Sequence, residues 1–279
     1  MKGALPLTIG EQLKDGRAVR AACRDGSWRA MTGGLAPGHV QANLVMLPGS
    51  LAADFARFCD ANSQACPLLE RTDPGKYEPK GLAPGADIRR DAPRYLVYAN
   101  GESVGGSPTD VVAQWLDDMV GFLIGCSFTF EAALQDAGIP IRHLEDGVNV
   151  PMFRTSVACR PVGVFSGPMV VSMRPIPSER VDEACAITAR FPRVHGAPVS
   201  IGNPLDIGIE DISAPDWGDA VDVRAGEVPV FWACGVTPQA VAQASCPPLM
   251  ITHAPGHMFV TDWLDTQLAD DQTTQRARH

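Results

Sequence analysis

At 279 residues, 45% of them hydrophobic, the chain can bury one large core or two modest ones without staples, because domains commonly run to about 100–200 residues. A formal charge of −9 with no Lys/Arg block excludes nucleic acid as an expected partner, since a phosphate backbone would be repelled. An anionic small-molecule substrate would meet the same average repulsion, so its site must be locally positive, built from individual arginines and helix N-termini.

The eight cysteines, at 23, 59, 66, 126, 159, 185, 234 and 246, include no CxxC pair and no regular spacing, and read as reduced thiols. Met1 to Thr8 lacks the apolar run of an export signal. The longest apolar stretch, Met119 to Cys126, falls far below the roughly 18 residues of a membrane span. A soluble cytoplasmic protein with no membrane partner is expected, with a homo-oligomer left open.

In chain order, Thr8-Ile9-Gly10-Glu11 is a capping-box pattern opening a helix carried by Leu13, Val19 and Ala22, which Asp25-Gly26 stops. A second helix starts at Ser50, with Leu51, Phe55 and Phe58 on one face, and ends before Cys66-Pro67. Residues 72–93, rich in Pro, Gly, Asp and Arg, read as a long ordered loop or a linker. Arg94 to Tyr98 reads as a strand, and Asn100-Gly101 as a hairpin turn leading into Glu102 to Val104.

From Asp110, the spacing of Val111, Trp115, Met119 and Phe122 predicts a helix that breaks near Gly125-Cys126-Ser127, before a second run to Gly138. Met169 to Met173 is a strand, followed by a helix from Ser178. Val228 to Cys234 is a strand, Thr237-Pro238 an N-cap with proline at N1, and Leu249 to Thr252 another strand, which together read as a βαβ unit. The expected architecture is α/β, with mixed sheets and flanking helices in two intertwined lobes. Its parts are an N-terminal α/β lobe over 1–145, a βαβ-containing lobe over 146–264 and a polar tail over 265–279.

Ligands of α/β sheets gather beyond the carboxyl ends of strands. That rule selects Met173-Arg174-Pro175, Cys234 to Gln239 and Thr252 to His257. Arg174 and Arg154 are candidates to hold a carboxylate by two parallel hydrogen bonds, or else are structural ion pairs. The segment Cys234, Gly235, Thr237 and Gln239 offers a helix N-terminus suited to a carboxylate or an oxyanion, or is an ordinary capped helix. His253 and His257 have metal-pair spacing, but Pro255-Gly256 between them argues for a loop; no metal is expected, and proton transfer is the better functional use. His195 sits in a Gly/Pro-rich loop, a further proton carrier or a structural histidine. Cys126 is a nucleophile at a helix N-terminus or a buried small hydrophobe, and Glu131 one turn on is a base or a dipole partner.

Six segments then carry a resemblance. Thr32-Gly33-Gly34-Leu35-Ala36-Pro37-Gly38 with Gln41-Ala42-Asn43-Leu44, Gly125 to Phe128, Asn149 to Met152, Val194 to Pro198, Phe231 to Gln239 and Thr252 to His257 together resemble, in order, the hydro-lyase family that includes D-glutamate cyclase. The resemblance runs from about residue 12 to 263. It implies a compact α/β protein of two intertwined lobes. It also implies, by kinship with a vertebrate mitochondrial member, closure of D-glutamate to 5-oxo-D-proline with loss of water. Family members read His-Gly-x-Pro-x-His-x-Gly-Asp-Pro where this chain has Ser200 and Asn203 at the second His and the Asp.

The expected chemistry is intramolecular amide formation in a small amino dicarboxylate, needing no cofactor. His253 or His257 with His195 would move protons, Glu131 would be an alternate base, Arg174 or Arg154 would anchor the α-carboxylate, and amides at 235–237 would meet the oxyanion. The rival readings are a thiol-dependent acyl transferase or hydrolase using Cys126, and a non-catalytic amino-dicarboxylate-binding protein.

Overall fold

The computed structural model describes residues 9–269; Thr8 of the expected capping box and residues 270–279 of the expected tail lie outside them. Two short helices, α1 (Ile9–Gln12) and α2 (Gly16–Asp25), stand where one was expected. Asp15 separates them because its side chain caps the second, accepting from the Ala18 amide at 2.8 Å. The central strand β1 (His39–Leu47) leads into α3 (Gly49–Ala61). There follow β2 (Leu68–Arg71), the β3 (Tyr95–Ala99) and β4 (Glu102–Val104) hairpin, and β5 (Val120–Gly125).

Next come α4 (Phe128–Asp136), α5 (Arg142–Asp146), β6 (Met152–Ala158), β7 (Pro168–Pro177) and α6 (Val181–Ala189). The chain continues through β8 (Ser200–Ile201), β9 (Glu227–Ala233), α7 (Thr237–Ser245), β10 (Met250–His253) and β11 (Phe259–Leu264).

Seven strands form the first sheet in the order β2-β5-β1-β10-β3-β4, with β11 also on β1; four form the second, β6-β7-β9-β8. Every strand pairing among the described residues is antiparallel. The architecture is therefore mixed α/β with two sheets and flanking helices.

Two expectations are corrected. The helix predicted from Asp110 is replaced by a single 3-10 turn at Val112–Gln114 and by β5: Phe122 and Ile124 join the core on one face of the first sheet, whereas Leu123 joins the other. Strand period, with both faces buried, replaces the helical period that a wholly apolar run cannot distinguish. The βαβ reading also gives way, because β9 lies in the second sheet and β10 in the first, so α7 crosses between sheets.

The same two-sided burial explains β1. Val45 and Leu47 face α3 and α7, while Leu44 and Met46 face the long 72–93 segment. Phe55 of α3 meets Phe122 and Phe165 edge-on at 4.9 and 5.1 Å, and each such buried ring contributes about 1.5–3 kcal/mol. The helices α4 and α6 cover one face of the second sheet, burying Phe130, Ala184, Val230 and Trp232 together. No described helix is long and apolar enough to cross a membrane.

Candidate functional site

The strand β1 pairs with β11 through Ala42 and with β10 from Val45 onward. Between these partners its edge is open at Asn43 and Leu44. The His253 imidazole closes the gap, accepting the Leu44 amide at Nδ1 over 3.1 Å. Nδ1 also lies 3.4 Å from the Leu44 carbonyl; when it accepts the amide, the neutral ring carries its proton on Nε2. Burial pushes this histidine down to about 4, so it is an uncharged substitute for a missing strand partner.

The loop between β10 and β11 follows directly after His253, and Thr32 clamps it. The Thr32 amide donates to the Gly256 carbonyl at 2.9 Å, and its hydroxyl accepts from the Met258 amide at 2.9 Å. Gly256 has φ +77°, and a Cβ there would lie 2.7 Å from Asn149 Nδ2. Gln41 holds the other side, donating through Nε2 to the Thr32 and Leu35 carbonyls at 2.9 and 3.3 Å.

Asn43 joins the two strand-to-helix turns. Its Nδ2 donates to the Gly125 carbonyl at 2.7 Å, and a Cβ on Gly235 would fall 1.9 Å from that same nitrogen. At these turns Cys126 precedes α4 and Cys234 precedes α7. Burial raises the Cys126 thiol well above its ordinary range and Cys234 to about 11. Both are therefore thiols at neutral pH, which disfavours a resting thiolate nucleophile.

Behind the turns lies a buried ionic network. Arg174, with no exposed surface, donates from Nε and Nη2 to Glu131 Oε1, from Nη1 to Ser172 at 3.0 Å and from Nη2 to Ser127 at 3.1 Å. Its guanidinium lies 5.3 and 5.6 Å from the Phe130 and Trp232 ring centres. His143 Nε2 stands 3.3 Å from the same Glu131 oxygen. Burial opposes ionisation of Glu131, but Arg174 and His143 outweigh it and hold the carboxyl below its ordinary value.

The network borders two cavities that meet at Phe128 and Leu144. One, of about 220 Å³, is lined by Met31, Gly33, Phe128, His143, Leu144 and Asn149 among others. The second, of about 80 Å³, reaches Leu35, His39, Gln41, Phe128, Glu131 and Asp265. Glu131 and His143 thus touch across the wall between them. This size suits a small metabolite, since pockets for larger ligands run to about 300–1,000 Å³.

Of the residues singled out in the sequence, Glu131 lines one of these cavities. Arg174 stands directly behind it, spent on protein partners, so the structural ion pair is the arrangement observed. His195 donates from Nδ1 to the Gln64 carbonyl at 2.8 Å, has a left-handed φ of 87° and is pushed by burial to about 4. His257 donates to the Pro255 carbonyl at 2.9 Å and is lowered by burial.

Thr237 is buried, its hydroxyl donating to the Cys234 carbonyl at 2.7 Å and accepting the Val170 amide at 3.1 Å. The amides of Thr237 and Gln239 donate to Cys234 and Val236 carbonyls. The Gln239 side chain donates to the His253 carbonyl at 3.0 Å, and Gly235 packs on Asn43. Arg154 lies elsewhere, on β6, paired with Asp216 at 3.5 Å and bonded to Gln243.

His143 was not singled out in the sequence. It lies outside every motif and follows Arg142 in a short polar helix, so no local signal marks it; only the fold brings it to Glu131. Asn149 and Gln41 stood in motifs but had no role assigned. The departures at Ser200 and Asn203 fall on β8 and the turn after it, where Asn203 caps the turn by accepting the Leu205 amide at 3.3 Å. Asparagine and aspartate serve equally as such caps. Among the described residues, no three His, Cys, Asp or Glu side chains are grouped to hold a metal ion.

Relatives of known description share most of this chain. The model of the family described as D-glutamate cyclase matches residues 120–262. A protein of Stutzerimonas stutzeri named "Putative hydro-lyase" is 58% identical over 251 residues, covering 90% of this chain and 94% of that protein. Hydro-lyase relatives bearing the same description occur in Geobacillus kaustophilus, at 56% identity with 90% and 95% covered, and in Natranaerobius thermophilus, at 55% with 88% and 94% covered. Among solved structures, a nitrogen repressor-like protein from Methanococcus jannaschii aligns over 88% of this chain and 98% of its own at 9% identity, with a TM-score of 0.36. That likeness is too loose to carry structural inference.

Proposed function

The chain belongs to the D-glutamate cyclase family of hydro-lyases, and from that premise we propose that it closes D-glutamate, or a closely related amino dicarboxylate, to 5-oxo-D-proline with loss of water. The observation that carries the reading is the contact between Glu131 and His143, 3.3 Å apart, at the wall shared by two small cavities.

In the reaction the amine nitrogen forms a bond to the γ-carboxyl carbon, and a carbon–oxygen bond breaks. An ammonium and a carboxylate enter; an amide and one water leave. Both protons lost by nitrogen end on the departing oxygen, so no proton is gained or lost overall. A single imidazole can take a proton from nitrogen and return it to oxygen. We assign this shuttle to His143, with Glu131, 3.3 Å away, holding the ring in position. Arg174 keeps Glu131 ionised while that happens. Confinement in a small cavity holds amine and carboxyl close, which supplies several kcal/mol of the barrier, up to about 7 when alignment is good.

His195 and His253, both pushed to about 4, would be weak proton acceptors near neutrality, and each already has a backbone partner. That favours His143 as the carrier. The test is release of 5-oxo-D-proline from D-glutamate by the purified protein, with L-glutamate as comparison. His143→Gln should lower kcat by about 10²-fold or more, in line with loss of a general acid–base. Absence of turnover at high enzyme concentration would end the reading.

A further inference from the structure

The 80 Å³ cavity continues into a groove of about 550 Å³, the two sharing Gly38, Ala132 and Asp265. Around them stand buried polar atoms without a hydrogen-bond partner among the described residues: Gln41 Oε1, Thr129 Oγ1 and Asp265 Oδ1. Gln41 is 4% and Thr129 1% exposed. The Gln41 amide cannot simply turn over, because its Nε2 is committed to the Thr32 and Leu35 carbonyls. Its oxygen is therefore a fixed acceptor.

Asp265 has no salt-bridge partner among the described residues, and burial alone pushes its carboxyl up to about 7. Polar atoms that give up hydration are normally repaid by a partner. Water could satisfy Gln41 and Thr129, and a proton could neutralise Asp265 below its raised value, but above it the carboxylate is charged and without a paired cation among the described residues. What the cradle lacks is a donor of several N–H bonds carrying one positive charge, and a primary ammonium has three such donors and no acceptor. The groove wall beyond is mixed: Ala133, Phe191 and Leu264 offer apolar surface to an alkyl chain, and Asp136 and Arg190 add one charge of each sign, with no salt bridge from Arg190 to Asp265.

We propose that Asp265, Gln41 and Thr129 form a subsite for a primary ammonium group, which selects amino dicarboxylates over dicarboxylates that lack the amine. The identity of the natural ligand rests on the cyclase reading; the ammonium subsite does not. Glu131, which also lines the smaller cavity, would then face the nitrogen that must lose a proton.

The test uses two ligand pairs on the full-length protein at pH 8. n-Butylammonium against n-butanol probes the subsite without reference to any reaction, and D-glutamate against glutarate probes it in the proposed substrate. The cation should raise Tm in a concentration-dependent way, because a ligand bound only to the native state stabilises it, and the alcohol should not. Asp265→Asn should weaken n-butylammonium by about tenfold or more and erase the preference for D-glutamate over glutarate. Without ligand, the variant should have a Tm at pH 8 at or above the parent's, because an unpaired buried carboxylate has been removed; that shows it is folded. Thr129→Val should weaken the same cation in a second folded background.

Equal responses to cation and alcohol, or an Asp265→Asn protein that keeps its full response to n-butylammonium, would overturn the subsite. If D-glutamate is never turned over while the cation response depends on Asp265, the cyclase reading falls and the subsite stands. Turnover of D-glutamate with an unchanged KM in Asp265→Asn ends the subsite and leaves the cyclase reading in place.

Discussion

Glu131→Gln should be among the most destabilising single changes available to this protein, more so than Arg174→Met. The two partners are both buried, at 4% and 0% exposed, but they differ in how they can respond to losing each other. An arginine cannot discharge, so removing Glu131 leaves a cation enclosed by Phe130, Trp232 and two serine hydroxyls. Breaking such a pair from one side costs about 3–5 kcal/mol, a large share of the roughly 5–15 kcal/mol that keeps a domain folded. Glu131, left alone, can take up a proton and become neutral.

Arg174→Met should therefore cost less, about 2–3 kcal/mol at pH 7, and its deficit relative to the parent should shrink as the pH is lowered toward 5. The double variant should recover most of the loss of Glu131→Gln, because no charge is then stranded. Urea unfolding followed by tryptophan fluorescence measures all three, with Trp232 a local reporter 5.6 Å from the guanidinium. If the single losses simply add in the double variant, or if Arg174→Met is the worse of the two at neutral pH, the pair is not desolvated as described and the reasoning fails.

Other outcomes follow from the same geometry. His195 and His253 both have folded values near 4 against about 6.5 unfolded. The folded state binds fewer protons, so their contribution is complete above pH 6.5 and lost as the pH falls toward 4. By pH 5 each should have given up about 2 kcal/mol. Asp265, raised to about 7, works the other way, because its folded form holds a proton the unfolded chain has lost. The histidine effect is therefore read in Asp265→Asn, where the urea midpoint should drop between pH 7 and 5 but stay level between 7 and 8, and adding His195→Gln should flatten that fall. His253→Ala strands the Leu44 amide and should cost about 1–3 kcal/mol, with faster hydrogen exchange at Leu44 as the specific sign and partial rescue by His253→Asn. Gly235→Ala forces a Cβ to within 1.9 Å of Asn43 Nδ2, so it should lose about 1–3 kcal/mol, visible as a lower Tm; a neutral result would mean that Asn43 is free to move.

Local chemistry made part of this fold readable. Asn100 and Gly101, at φ 50° and 83°, supply the left-handed pair that a two-residue hairpin demands, so the β3–β4 turn could be read directly. The start of α7 was nearly legible, although the cap position is Val236 and Thr237 turns its hydroxyl back to Cys234. The failures share one cause. β1 and β5 are buried on both faces, so their side chains show no alternation, and an apolar run without alternation does not reveal its period. Site residues divide in the same way. Motif segments could be found from their glycines and prolines, but which side chains face a cavity depends on pairings between residues 120–125 and 39–47, or on the crossing of α7 between sheets. Arg174 read equally as a ligand anchor or a structural ion pair because the sequence cannot show that Glu131, 43 positions earlier, is its partner.

Several motif segments support the cavities through one mechanical chain, although few of their side chains touch a ligand in the proposed reaction. The ring of His253 stands in for a strand partner at Leu44, at the root of the 254–258 loop. Thr32 grips that loop from one side, and Gly256 lets Asn149 approach from the other. Gln41 fixes the backbone of Thr32 and Leu35, and these segments shape the walls facing His143 and Glu131. A change at His253 should thus reach the cavity through two hydrogen-bonded steps, Leu44 to the loop and the loop to Thr32, rather than by removing a proton carrier. The two accounts differ in kinetics. A positioning histidine replaced by Asn, which can still accept the Leu44 amide, should retain most of kcat and show its effect mainly in KM and Tm. A histidine that carries the proton would lose kcat in the same variant by about 10²-fold or more.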